Sequence, residues 1–326
     1  MTYKSLRVEE IDGKFTQNIK ELSLKELDIE DVLVHVKYSA LNYKDALSAS
    51  GNRGVTRDFP HTPGIDASGI VKRSSSNKFR VGDKVIVTSF DLGMNTNGAF
   101  SQYISVPESW IIPLPKTLTL KEAICIGTAG LTSAIATFKL IANGQKTGNN
   151  MLVTGSTGAV GSFSVKLLSH LGFRVTALTS KIDKKEFLTS IGADEVILKD
   201  NFETHAKRPL LKPKYDGAID VIGGKLLENI LKQINSEGSV ATCGLVESPQ
   251  INTSVFPFIL RGVNLLGVDS AKINLKFRNT LWNMLSNEWR VETSQMIHEH
   301  NLEDLPSLID EMLAGKNIGK AIIKID

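Results

Sequence analysis

A chain of 326 residues is too long for one small core and suits two domains of ordinary size. Its 41% hydrophobic and 22% charged content excludes a disordered or fibrous protein, and 38 Lys and Arg against 35 Asp and Glu, a net charge of +3, give no case for nucleic-acid binding. Two cysteines in apolar stretches, Cys125 and Cys243, exclude a disulfide framework, the N-terminal MTYKSLRVEEIDGK carries acids where a signal peptide has its apolar core, and no run approaches a membrane span. A cytoplasmic protein with a reducing environment is expected.

Residues 1 to about 120 carry strand signals separated by turns. Residues 31–38, DVLVHVKY, alternate Val32, Val34 and Val36 with polar partners, the period of a half-buried strand. Asn42-Tyr43-Lys44-Asp45 follows, then a turn at 51–54, then 60–63 leading into the apolar run 64–71. Residues 81–87 read as a turn and strand and 98–106 as another strand, so this part is expected to be β-rich and barrel-like. Near Leu118 the pattern changes: 119–140 has helical spacing, and 143–150 is a polar loop.

Residues 151–162, MLVTGSTGAVGS, are the most informative stretch. An apolar run from Met151 to Val153 feeds a turn containing Gly155, Gly158 and Gly161, after which Val160, Phe163, Leu167, Leu168 and Leu171 recur at helical spacing. Four unpaired N–H groups and the positive end of the helix dipole suit that spot to a pyrophosphate. Gly155 can take a conformation closed to other residues, Gly158 lets the main chain approach phosphates, and Gly161 lets helix and strand pack closely. A tight strand-to-helix turn with no ligand is the competing reading. Beyond it, strands at 174–178, 195–198, 215–222, 239–245 and 263–268 alternate with helices at 184–191 and 226–234. That alternation gives a parallel, right-handed, doubly wound sheet, a Rossmann domain. Amphipathic helices at 275 to about 285 and at 305–313 follow, then a short strand at 321–325 that needs a sheet to join, which the first part can provide. Domains are expected at 1–122, 123–268 and 269–326.

A strand-end Asp or Glu in such a fold accepts hydrogen bonds from the ribose hydroxyls of NAD. Here the second strand ends Ala177-Leu178-Thr179-Ser180-Lys181. The hydroxyls of Thr179 and Ser180 with the ammonium of Lys181 suit a 2′-phosphate, so NADPH is favoured over NADH. Lys199, at the end of the third strand on the same carboxyl edge, could add a second cation, while Lys184 and Lys185 read better as a solvated helix start. None of the five tyrosines has Lys or Arg four residues on except Tyr3 with Arg7, far from the cofactor loop, which removes the Tyr-x-x-x-Lys pair of short-chain dehydrogenases. Two cysteines cannot make a four-cysteine zinc site, and His298 and His300 on a helix would face different sides, so no metal is expected.

The order of β-rich domain, Rossmann domain and return resembles the medium-chain dehydrogenase/reductase superfamily. Several stretches resemble its zinc-free branch of YhdH/YhfP-type quinone oxidoreductases, also described as acrylyl-CoA reductases: LNYKDAL at 41–47, PGID at 63–66, IGTAG at 126–130, 154–162, CGL at 243–245, PFILR at 257–261 and GVDS at 267–270. Gly64-Ile65-Asp66 stands where zinc-dependent relatives have Gly-His-Glu. The resemblance implies a GroES-like first domain, NADPH as reductant, and reduction of a carbon–carbon double bond conjugated to a carbonyl. It implies cofactor contacts from Ala46, Ala159, Val160, Gly161, Ser162, Thr179, Ser180, Lys181, Lys199, Leu245, Ile259, Ser270 and Lys320. Leu245 also follows a strand end where a nicotinamide would lie, and Lys320 could bring a cation to the cleft; Ala46 and Ile259 on their own suggest only packing.

Such chemistry asks the protein to orient its reactants, exclude water and stabilise an enolate oxygen. Tyr43 is the candidate donor to that oxygen and Asn42 the group that orients substrate or nicotinamide ribose, although Tyr43 could instead close a barrel end. Asp45 is expected to bond backbone in its turn. An acrylyl-CoA-like thioester leads as substrate, a free quinone follows, and a non-catalytic NADPH-binding or RNA-binding protein is the alternative of another class. The strand at 263–268 should lie at the sheet edge and pair with a second copy, giving a homodimer that Leu265→Lys would weaken.

Overall fold

An Asp12-Gly13 pair with positive φ at both residues, 51° and 73°, closes a hairpin of β1 (Thr2–Ile11) and β2 (Lys14–Ser23). Both backbones sit where Asp and Gly are the tolerant residues, so the turn follows from the dipeptide. The computed structural model describes residues 2–27, 30–202 and 208–325. A first unit comprises Met1–Thr128, Ala271–Asn287 and Ile297–Asp326, and a second comprises Ala129–Ser270 and Glu288–Met296.

In the first unit β3 (Val32–Ala40) keeps the period of two: Val32, Val34 and Val36 are fully buried, with Leu33 and His35 half-buried between them. Next come α1 (Tyr43–Ala49), β4 (Asp66–Ser74), β5 (Lys84–Thr88), β6 (Tyr103–Val106) and β7 (Ile111–Pro113). The strand expected over 98–106 is thus shorter and starts at Tyr103. Helix α2 (Leu120–Ala142) is long and apolar enough to cross a membrane by length and composition, contrary to the expectation that no run approaches that length. Gly127 breaks it at φ 50°, ψ −156°. The longer piece extends about 22 Å against a hydrocarbon core of about 30 Å, and 78% of the apolar window is buried in the protein, the signature of a core helix.

The second unit runs β8 (Asn150–Thr154), α3 (Ala159–His170), β9 (Arg174–Thr179), α4 (Lys185–Ser190), β10 (Glu195–Leu198), β11 (Tyr215–Asp220), α5 (Gly224–Leu231), β12 (Ile234–Thr242), α6 (Phe256–Arg261) and β13 (Asn264–Gly267). Ile234, expected to end a helix, opens β12 instead. Among the described residues the strands form one parallel sheet in the order β10-β9-β8-β11-β12-β13. The order reverses between β8 and β11, where such sheets bind their ligands. Met151 to Val153 of β8 are wholly buried, as a strand covered on both faces requires, and β13 lies at the edge.

The chain then adds α7 (Leu275–Ser286), β14 (Ile297–Asn301), α8 (Leu305–Leu313) and β15 (Lys320–Lys324). The terminal strand joins the first unit as expected, antiparallel to β3 and parallel to β14, in the order β14-β15-β3-β4-β5-β7 with β6 also on β3. His298 and His300 therefore lie on a strand, not a helix, and share one face of it.

Candidate functional site

The glycine loop opens α3 at the switch point of the second unit. Gly155 has φ +56°, and a Cβ on it would meet Val221 Cγ2 at 2.5 Å; a Cβ on Gly161 would lie 2.2 Å from the Gly155 carbonyl oxygen. Both glycines are demanded from inside the protein. Gly158, the N-cap of α3, is not: its φ is −82°, and a Cβ there would first meet the Gly155 oxygen at 3.4 Å, an ordinary contact. A glycine that neither backbone nor packing requires leaves open main chain at a helix N-terminus, the property a pyrophosphate cradle needs. Ala159 and Val160 are half-buried in the first turn. Ser162 is 1% exposed and donates its hydroxyl to the Ala159 carbonyl at 3.3 Å, so its side chain serves the helix.

Beneath the loop lies Asp220, a buried carboxylate that the sequence reading passed over. It accepts from Thr154 Oγ1 at 2.8 Å, Gly223 N at 2.9 Å, Ile222 N at 3.2 Å and Thr242 Oγ1 at 3.3 Å, tying together the carboxyl ends of β8, β11 and β12. Burial raises its pKa while these donors oppose the rise. An acid closing an apolar strand was the available signal, because a buried carboxylate must find donors.

At the next strand end, Thr179 is buried and its hydroxyl accepts from Lys181 N at 3.0 Å; Ser180 is exposed and Lys181 half-buried, with burial lowering the pKa of its ammonium. The ladder pairs Leu198 with Thr179, which brings Lys199 beside Ser180 on the carboxyl edge. Lys199 Nζ makes an ion pair with Glu247 Oε1 at 3.0 Å, and Lys184 pairs with Asp183 at 2.7 Å as a solvated helix start would. Leu245 and Ile259 are 58% and 67% exposed. Ser270 is half-buried at the end of the segment. These residues fit a dinucleotide with a 2′-phosphate: hydroxyls and ammoniums meet at the strand end, and no carboxylate stands at 179–181.

The first unit holds a polar cluster around α1. Asp45, wholly buried, accepts from Asn42 N at 2.8 Å, Ile65 N at 2.9 Å, Gly64 N at 3.2 Å and Asn42 Nδ2 at 3.2 Å, so it bonds backbone as expected. Burial pushes its pKa up to about 7, against the donors. The Asn42 amide also donates to Ala40 O at 3.2 Å and to Asp66 Oδ2 at 3.1 Å. Asp66, also wholly buried, accepts from Thr128 Oγ1 at 2.5 Å and Thr128 N at 3.0 Å, and Thr128 Oγ1 lies 2.9 Å from Ser89 Oγ. Ser89 is held at φ 62°, the kind of strain that collects at functional sites.

Lys320 is placed differently from the expectation. It is 3% exposed, donates to the Ile126 carbonyl at 2.9 Å and sits 3.7 Å from Asp66 Oδ2, where a Cβ on Gly127 would meet its Nζ at 2.2 Å. Burial lowers its pKa. The residue fastens β15 to the kink of α2 and offers almost no surface to a cofactor. Ala46, likewise, is fully buried in the core and has no surface to offer. Tyr43 is 43% exposed at the first turn of α1 and does not plug the unit's core. Asp66 and Thr128 lay within quoted motifs without being singled out; a charge inside an apolar strand was the signal for Asp66.

A parallel 3-2-1-4-5-6 sheet with an open glycine loop, joined in one chain to a β-rich unit completed by the C-terminus, defines a two-domain nicotinamide-dependent dehydrogenase/reductase of the medium-chain type. The descriptions of two family models match, an alcohol dehydrogenase GroES-like domain over residues 28–116 and a zinc-binding dehydrogenase over 159–287. The chain is 37% identical to the acrylyl-CoA reductase AcuI of Ruegeria pomeroyi, covering 98% of this chain and 97% of that one. It superposes on Escherichia coli K-12 YhdH with bound NADPH at TM-score 0.95 and 35% identity over 99% and 100% of the two chains. It superposes on Bacillus subtilis YhfP with NAD bound at TM-score 0.97 and 36% identity over 100% of both. The chain belongs to the YhdH/YhfP family of quinone oxidoreductases and acrylyl-CoA reductases. The zinc in the second family description does not fit the residues here. Among the described residues no group of three or more His, Cys, Asp and Glu side chains could hold a metal, and the buried Asp66 faces an ammonium.

Proposed function

We propose that this chain is an NADPH-dependent reductase that adds hydride to the double bond of a small α,β-unsaturated carbonyl, with an acrylyl-CoA-like thioester as acceptor. The reading rests on the chain-long likeness to an acrylyl-CoA reductase, together with a strand end whose hydroxyls and ammonium match a 2′-phosphate. A reduced nicotinamide, when bound, supplies the hydride. The chain's own part is to bind, orient and neutralise. Gly158 and the start of α3 take the pyrophosphate, and Thr179, Ser180 and Lys181 take the 2′-phosphate. As the β-carbon gains hydride, charge builds on the carbonyl oxygen, and exposed Tyr43 donates a hydrogen bond or proton to it. Asn42 has its amide N–H groups committed to Ala40 and two carboxylates, so it orients substrate or the nicotinamide ribose through its carbonyl oxygen, as an acceptor.

Two cysteines outside any disulfide support a cytoplasmic setting, and an apolar edge strand supports a homodimer. Oxidation of NADPH by the purified protein, with acrylyl-CoA and with free quinones, tests the activity. The expected result is the higher kcat/KM with the thioester. Turnover of quinones alone would replace this reading with quinone reduction, which the provisional quinone oxidoreductase name of Bacillus YhfP favours. A protein that binds NADPH and oxidises it with neither enones nor quinones is a binding protein.

A further inference from the structure

Glu247 is seated on the carboxyl edge of the second unit by more than its charge. Its N–H donates to the Ile222 carbonyl at 2.9 Å, its Oε2 accepts from Leu226 N at 3.0 Å in the first turn of α5, and its Oε1 takes the Lys199 ammonium at 3.0 Å. The surrounding backbone is pinned as well. Gly223 bridges Ser248, and a Cβ on Gly224 would meet Glu247 Oε2 at 2.8 Å. One carboxylate oxygen thus caps a helix and the other holds a lysine that the β9/β10 register puts beside Ser180. Adjacent strands are about 4.8 Å apart, so the Lys199 side chain reaches any group held at 179–181.

We propose that Glu247 is a specificity-determining residue of the nucleotide site: it shares the Lys199 ammonium with the 2′-phosphate and so weakens the preference for NADPH over NADH. This rests on the cofactor reading above. A 2′-phosphate brings nearly two negative charges to Ser180 and Lys181, and Lys199 can turn to it only by loosening its ion pair with Glu247. NADH carries a neutral hydroxyl there and meets no such penalty. The pair is partly exposed, 37% for the Lys199 side chain and 29% for Glu247, so the effect is modest.

Binding, measured by fluorescence titration of NADPH and NADH without any acceptor, tests this independently of the substrate. Glu247→Gln keeps an oxygen for Leu226 N and removes the charge. It is expected to tighten NADPH by about two- to fivefold and to change NADH by less than twofold. Lys199→Met should weaken NADPH alone, and on that background Glu247→Gln should have no further effect, since it acts through Lys199. Equal changes for both nucleotides, or none, would make Glu247 a brace for α5 and overturn the proposal. A Glu247→Gln gain that persists without Lys199 would overturn the sharing. A wild type that binds neither nucleotide would instead bring down the cofactor reading itself, a result separate from either.

Discussion

At Asp45 burial and charge conflict most openly. Its pKa rises from 3.8 to about 7 because no water reaches the carboxylate, although four N–H donors favour the ion. A raised folded-state value means that the native protein keeps a proton which the unfolded chain releases near 3.8. The stabilisation is full below that value and is lost as pH rises through about 7. The thermal midpoint is therefore expected to fall from about pH 4 to about pH 7, and Asp45→Asn should flatten the fall. A wild type that becomes more stable across that window would contradict the argument. Lys181 gives a second test: Lys181→Ala removes one charge-assisted contact worth about 1.5–3 kcal/mol in full, less for a half-exposed group. The Michaelis constant for NADPH should rise by up to about tenfold and that for NADH little; equal losses would show that Lys181 does not contact the 2′-phosphate. Residues of this kind were legible because Thr179, Ser180 and Lys181 adjoin in the chain. The pairing of Asp66 with Lys320 was not, since the two meet only when β4 and β15 enter the same sheet.

The phosphate loop shows how an element assigns different tasks to similar residues. Gly161→Ala would push a Cβ into the Gly155 carbonyl, an overlap that backbone must relieve, at about 1–3 kcal/mol. Gly158→Ala meets no such obstacle and forfeits only the N-cap preference of glycine, about 1 kcal/mol at most. Calorimetry should find a clear drop in thermal midpoint for Gly161→Ala and a small one for Gly158→Ala, whereas the titration should find NADPH binding weakened by Gly158→Ala. A Gly158→Ala protein with unaltered NADPH affinity would show that the turn serves the fold alone. Strand and helix periods made most elements readable, as the alternation in β3 and the spacing in α3 show. The hairpin of β1 and β2 was readable too, from Asp12-Gly13, but was passed over. Two features were out of reach: the break in α2 at Gly127 follows from Asp66 and Lys320 packed against it, and β14 has polar residues and gains its identity only by pairing with β15.

At the scale of the whole molecule the proposed homodimer rests on the edge of the second sheet. β13 has β12 on one side and, among the described residues, no strand on the other; the Lys139 ammonium donates to the Gly267 carbonyl, and the edge carries Leu265 and Leu266. Natural sheets cover or charge such an edge, and this one has apolar side chains that are only half-buried. Pairing of two copies of β13 across a twofold axis would join two six-stranded sheets into one and bury both seams. Leu265 packs against its own unit's core, so Leu265→Lys would weaken fold and seam together. Leu266→Lys, on the alternate face of the strand, is the cleaner probe, because it sets an unpaired charge at the seam and spares that core. Light scattering at micromolar concentration should give the mass of two chains for the wild type and a shift toward one for Leu266→Lys with an unchanged thermal midpoint at high dilution. A monomeric wild type would sink the dimer, and a variant that stays fully dimeric would move the interface away from β13.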